Sequence, residues 1–460
     1  MKLPLILVIT SLLLTACGGG GNSSNNQTQD DPVQGDPVQD DLVQDDIVDN
    51  SIWEEASPES VGMNSTKLSE AFDTAFADGT YTQAAVVIKD NKLVYERYRG
   101  IGANEESTLL NESLFDPEGP SAQARFGNRD KDSLVTSWST AKSFASVLIG
   151  IAIGQDFIES LDQSASDFID EWADDDRAQI TLRNLLDMRS GLEMICLNQG
   201  ETTLATCTNG LDDSDIMYFD NQLDACINRT LSGGGIGQSG SWSYSNCDSM
   251  LLGEILYQAT GQDLETYADV NLFSKIGMDA EWWQDNDPTG QVDGNYLSFC
   301  CIDATIRDFA KFGQLLLNNG AWDGEQVVPA SYIESIKNVA VDALNTDTFG
   351  GTRSYGLQFW TVPPVQQDDG STYPPANAII TTVGFDGQYI MVDFVNNLLV
   401  LRNSIYEPAF YGTEERKWKL LNTVEGSDFI ATLPAYMGIN TGSTFNNSKF
   451  LYQVTQSITP

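Results

Sequence analysis

The sequence contains no histidine. That absence excludes a Ser-His-Asp triad, a Cys-His pair and every imidazole metal ligand. A general base in this chain has to be Lys, Tyr, Asp or Glu. No C-x-x-C pair occurs, so nothing points to a zinc site, and neither metal nor cofactor is implied. Basic residues are scarce: 24 Lys and Arg stand against 66 Asp and Glu, a formal charge of −42. Such a surface repels phosphate backbones and argues against a nucleic-acid partner. The charge fits either solubility in salty surroundings or attraction of cationic substrates, and composition does not separate the two. The stretch Leu3–Leu14 is apolar but too short to span a bilayer.

What is present is a chain of 460 residues, 41% hydrophobic, enough for one large domain or two small ones. Met1–Ala16 has the pattern of a secretory signal: Lys2 gives the positive start and Leu3–Leu14 the apolar region. Leu14-Thr15-Ala16-Cys17 resembles the bacterial lipobox, which implies lipidation of Cys17 and a membrane anchor through it. Gly18 stands where an inner-membrane retention signal would have aspartate, so the resemblance implies an outer-membrane lipoprotein, facing the periplasm or the surface. Residues 17–50 hold almost nothing that builds a core. A five-residue repeat starting at Asp31-Pro-Val-Gln-Gly is acidic and polar, the composition of a disordered, self-repelling tether. The folded part is expected over 51–460.

Setting Cys17 aside leaves Cys196, Cys207, Cys226, Cys247, Cys300 and Cys301. An even number in an exported chain points to disulfides, with fifteen possible pairings. Cys196–Cys207 closes a short loop and is the first expectation. The neighbours Cys300 and Cys301 are expected to pair elsewhere rather than with each other.

Ala84–Lys89 and Lys92–Tyr98 are β-rich runs about Asp90-Asn91, a hairpin signal, and Gln388–Phe394 with Leu398–Asn403 repeats it about Asn396-Asn397. Residues 100–135 read as polar and irregular. Ser139–Gly154 is apolar on most faces and predicts a buried helix. Thr181–Arg189 predicts a helix with Thr181 as its N-cap and Gly191 beyond its end, and Asp248–Ala259 another, stopped by Gly261. Residues 305–318 and 329–337 also read as helical. Strands at both ends with helices between imply one sheet assembled from both chain ends, with a mostly helical insertion over roughly 143–295.

Ser139-Thr140-Ala141-Lys142 is the one S-x-x-K tetrapeptide in the chain. At a helix start it puts the serine oxygen and the lysine amine on one face, with the serine N–H directed out of the helix end. The apolar helix that follows gives Lys142 a dry setting, which favours its neutral form. Twelve lysines in a chain of this length give about one such tetrapeptide by chance. Tyr244-Ser245-Asn246, the one Y-x-N, adds weight: in an extended segment Tyr244 and Asn246 point the same way. The tyrosine can relay a proton and the asparagine can hold the amine and a substrate carbonyl.

Together, Ser139-x-x-Lys142 and Tyr244-x-Asn246 resemble the serine β-lactamase and penicillin-binding protein superfamily, on its branch with class C β-lactamases, esterases and 6-aminohexanoate-dimer hydrolases. The resemblance covers about 56–440 and includes Ile180–Leu192 and 300–335. It implies an α/β (α+β) fold of the β-lactamase/transpeptidase kind, an antiparallel sheet flanked by helices with the site against a helical domain. The family's third motif, Lys-Thr-Gly or His-Thr-Gly, has its nearest match here in Thr382-Val383-Gly384, followed by Phe385. The glycine is kept and the cation is lost. By resemblance this strand supplies an oxyanion N–H near Phe385, the other coming from Ser139. A threonine makes no charge-assisted bond to a substrate carboxylate, which moves the expected substrate from β-lactams towards small esters and non-peptide amides. The alternatives are a β-lactamase or cell-wall D-Ala-D-Ala peptidase, and a catalytically silent surface lipoprotein that binds a ligand. The oligomeric state is not legible.

Overall fold

A computed structural model describes residues 53–111, 123, 126–197, 204–206, 216, 221–238, 242–286, 292–339, 355–374, 379–385, 387–404 and 445–459. The expected signal segment, Cys17, the tether and the Cys196–Cys207 pairing lie outside the described residues.

The described chain begins with helix α1 (Ser65–Ala75) and the hairpin β1 (Thr82–Lys89) and β2 (Lys92–Tyr98). Asp90 and Asn91 both take positive φ, 53° and 65°, as a two-residue hairpin turn of the primed kind requires. Helix α2 (Ala103–Asn111) falls in the stretch read as irregular. Its anchor is tertiary: the buried Glu105 accepts from the N–H groups of Gly79, Tyr81 and Gly102 and pairs with Arg99. No local sequence pattern encodes that.

Next come strand β3 (Leu134–Thr136), helix α3 (Ala141–Gly154) and helix α4 (Leu182–Leu186). Thr181 and Asn184 close a capping box on α4, which stops at Leu186, earlier than its sequence pattern implies, because Met188 turns to φ 57°. Helix α5 (Asn246–Thr260) ends on Gly261 at φ 72°, and helix α6 (Leu264–Ala268) leads to strand β4 (Ala280–Trp282). Strand β5 (Ile302–Thr305), helix α7 (Ile306–Leu317) and helix α8 (Ala330–Asn338) follow. The chain then adds β6 (Tyr355–Gly356), β7 (Phe359–Thr361), β8 (Ile379–Gly384), β9 (Gln388–Asp393), β10 (Leu398–Ser404) and helix α9 (Asn447–Thr455).

Seven strands form one antiparallel sheet in the order β6-β7-β8-β9-β10-β1-β2, so both chain ends build it as expected. A three-stranded sheet, β3-β5-β4, lies in the intervening chain. The period of two sorts the sheet's faces. Val86, Ile88, Leu399 and Leu401 join the core of α3 and α7, while Ala85, Val87, Leu398 and Val400 pack with α1 and α9. Gly313 lets α7 lie close on the sheet, since a Cβ there would come within 2.5 Å of Leu399. Gly150 does the same for α3 against the Tyr332 ring, at 2.6 Å. Trp282 and Trp283 are core residues.

Cys226 and Cys247 form a disulfide between helix Gln222–Ile227 and α5. Against expectation, Cys300 and Cys301 are joined to each other. The chain turns sharply there, with Cys301 at φ 70°, and this brings the two neighbouring side chains together.

Glu265 on α6 accepts from Trp282 N–H, and burial pushes its carboxyl up to about 7, helped by Glu281, Asp269 and Asp263. A carboxyl that rises on folding costs nothing where both states hold the proton, below about 4.5; the cost grows between 4.5 and 7 and is constant above. Glu265→Gln should therefore raise the unfolding free energy at pH 8 by about 1–2 kcal/mol and change little at pH 4. Chemical denaturation at the two pH values checks this.

Candidate active site

The turn that carries Ser139 is fixed on both sides. Ser137 N–H donates to Ile302 O, and Ile302 N–H donates to Ser137 Oγ, both at 2.8 Å. Trp138 is buried with φ 46°, a left-handed conformation costing about 1–3 kcal/mol in a bulky residue. Cys301 N–H donates to its carbonyl at 3.2 Å. The chain then makes one 3-10 turn, Trp138–Thr140, and enters α3. Ser139 is half-buried at that entry, and Lys142 lies one turn along on the same face.

Lys142 is 1% exposed. Its Nζ lies 3.3 Å from Ser139 Oγ, 2.6 Å from Asn246 Oδ1 and 2.8 Å from Phe299 O, and 5.0 Å from the centre of the Tyr244 ring. All three oxygens are neutral. Ser245 caps α5 by accepting from Asp248 N–H, and its extended backbone, φ −128° and ψ 122°, aims Tyr244 and Asn246 at the same amine. Tyr244 sits in an aromatic cluster with Tyr355, Trp360 and the half-buried Trp242.

Strand β8 runs along the nucleophile turn. Thr140 Oγ1 donates to Thr382 Oγ1 at 3.1 Å, and Thr382 also accepts from Ile390 N–H. Val383 is half-buried against the Tyr244 cluster. Gly384 is in tight backbone contact, since a Cβ there would stand 2.2 Å from Ser137 O. Phe385 follows, exposed, its ring edge-on to Trp138 at 5.6 Å. The structure thus gathers Ser139, Lys142, Tyr244, Asn246 and the strand Thr382–Phe385 in one place. Sequence reasoning missed Phe299, which contributes a backbone carbonyl, and Thr140, whose hydroxyl ties the turn to the strand. Among the described residues no group of three or more Cys, Asp or Glu is placed to hold a metal ion.

The beta-lactamase family model matches residues 71–404. The chain belongs to the beta-lactamase family. Solved structures with the same fold are a Bacillus anthracis protein named for 6-aminohexanoate-dimer hydrolysis, a Bacteroides dorei protein named as a beta-lactamase, and a penicillin-binding protein homologue from Caulobacter crescentus. The first is 23% identical, with a TM-score of 0.54 over 77% of this chain and 81% of that one. The second is 14% identical, with a TM-score of 0.52 over 86% and 99%, and the third 16% identical, with a TM-score of 0.52 over 74% and 91%. No curated protein matches the chain. The likeness establishes a serine-hydrolase fold of the beta-lactamase and penicillin-binding kind. In this member of the beta-lactamase family a hydroxyl, a buried amine, a phenol ring and an amide converge. Such a set can add an alkoxide to a carbonyl and move a proton.

Proposed function

We propose that the protein hydrolyses a small ester or a non-peptide amide through an acyl-enzyme on Ser139. The observation that carries this reading is the set of neutral oxygens around Lys142 Nζ, with the Ser139 hydroxyl among them. A neutral amine has two N–H bonds and one lone pair. In that form it can donate to Asn246 Oδ1 and Phe299 O and accept from the Ser139 hydroxyl, 3.3 Å away.

In the first half-reaction Ser139 Oγ bonds to the substrate carbonyl carbon and its proton passes to Lys142. The oxyanion is met by the N–H groups of Ser139 and Phe385. The proton moves by way of Tyr244 to the leaving oxygen or nitrogen, the bond to it breaks, and the alcohol or amine departs. Water then adds to the acyl-enzyme with the same groups acting in reverse, releasing the acid and restoring the serine. Thr382 carries no charge and is bonded to Thr140, so that position offers no cation to a substrate carboxylate. This supports uncharged substrates over β-lactams and peptide C-termini. The proposal includes an exported, outer-membrane protein anchored through a lipidated Cys17.

Family membership favours a second reading, hydrolysis of β-lactams or D-Ala-D-Ala peptides. Purified protein given short p-nitrophenyl esters, anilides and nitrocefin separates the two. The expected result is a kcat/KM for the best ester at least tenfold above that for nitrocefin, the effect of about 1.4 kcal/mol in transition-state binding. The reverse order would overturn the substrate assignment, and no turnover of any of them would favour a silent binding protein.

A further inference from the structure

Beside the nucleophile turn lies a small cavity of about 10 Å3, lined by Ser137, Thr140, Gln388 and Asn403 and by apolar neighbours that include Phe309 and Leu401. The four polar residues are each at most 5% exposed. Two atoms on this cavity's lining residues have no protein partner among the described residues, Gln388 Nε2 and Asn403 Oδ1. Their orientations are settled by their neighbours. Gln388 Oε1 accepts from Ser404 N–H at 3.1 Å and from Asn403 Nδ2 at 2.8 Å. Rotating the Gln388 amide would set its NH2 against the Ser404 N–H, donor against donor. So Gln388 keeps one donor and Asn403 one acceptor without a protein partner among the described residues, and leaving either unmet in the interior is costly.

We infer that this cavity is a binding site for one resident water molecule, held by Gln388 Nε2–H and by a bond to Asn403 Oδ1. The volume is at the lower limit for a single water, and the site offers the polar partners that distinguish a wet cavity from a dry one. The water is structural. Ser139 does not line the cavity, so this is not the molecule that attacks the acyl-enzyme. Its place is between β9, β10 and the turn. Gln388 also presents its carbonyl to Thr140 Oγ1 at 3.3 Å, and it directly follows Gly387 in the turn that carries Phe385. The water therefore braces Gln388, a positioning residue, behind both halves of the proposed oxyanion site.

A crystal structure of the protein at a resolution that orders solvent tests the site. One density peak about 3 Å from both Gln388 Nε2 and Asn403 Oδ1 is expected. A cavity without density, or amides turned onto other partners, would overturn it. This result is independent of activity. The positioning role rests on the proposed hydrolase reading and is tested with two variants. Asn403→Leu displaces the water and should lower kcat about tenfold with KM within about twofold, as small misalignments of a site do. Asn403→Ser leaves room for water and should stay within about threefold of wild type in kcat. If both variants lost activity equally, or if only KM rose, Gln388 and its water would have no positioning role.

Discussion

Replacing Lys142 with methionine lowers kcat/KM for the best ester substrate by about 10^3-fold or more, on this account, because the only group bonded to the Ser139 hydroxyl in the described contacts is removed. Methionine is chosen because the position is 1% exposed and lies among Phe299, Tyr244 and the apolar helix α3. An unbranched apolar side chain fits that space without a charge to desolvate. Asn246 Oδ1 and Phe299 O lose a donor, so a small loss of stability is expected, about 1–2 kcal/mol, against a loss of activity far larger. Lys142→Arg separates charge from basicity. A guanidinium stays protonated at any working pH and cannot accept the serine proton, so it should be as inactive as methionine. Recovery of activity with arginine would mean that the amine acts only as a fixed positive charge.

Gly384→Ala should lower kcat by about 10^2–10^3-fold, the effect of losing one oxyanion donor. The new methyl would stand 2.2 Å from Ser137 O and 2.8 Å from Gln388 Cβ. Ser137 cannot yield, because Ile302 holds it through both its N–H and its Oγ. The strand must move instead, and Phe385 N–H moves with it. Phe385→Ala is the contrast. It removes the ring packed on Trp138 but keeps the backbone N–H, and kcat should stay within about tenfold of wild type. Equal damage from both variants would point to packing of the Phe385 ring rather than to the backbone donor. Steady-state kinetics with one ester, supported by circular dichroism of each variant, gives the comparison.

The features legible in the sequence are those encoded by local chemistry. Asp90-Asn91 supplies two positive-φ residues in succession, which is what its hairpin turn requires. Thr181 is a small hydroxyl residue that caps the helix after it, as its place in the sequence implies. Ser139-x-x-Lys142 and Tyr244-x-Asn246 announce themselves through side chains at fixed spacing. What sequence could not show depends on the tertiary fold. Phe299 contributes a carbonyl that any residue would provide, so its identity carries no signal. Trp138 takes a left-handed φ that only its bonded surroundings maintain. Helix α2 is held by Glu105 reaching back to Gly79 and Tyr81. The bond between Cys300 and Cys301 accompanies a positive φ at Cys301, which the residue types do not announce. Thr382 reads as the place of a missing cation, and the structure adds that its hydroxyl is bonded to Thr140.

The most direct test of the central claim is the intact mass of the protein after reaction with a fluorophosphonate. The wild-type protein should gain one adduct, and Ser139→Ala should gain none under the same conditions. An adduct on Ser139→Ala equal to that on wild type, or no adduct on wild type while it turns over an ester, would contradict Ser139 as the nucleophile.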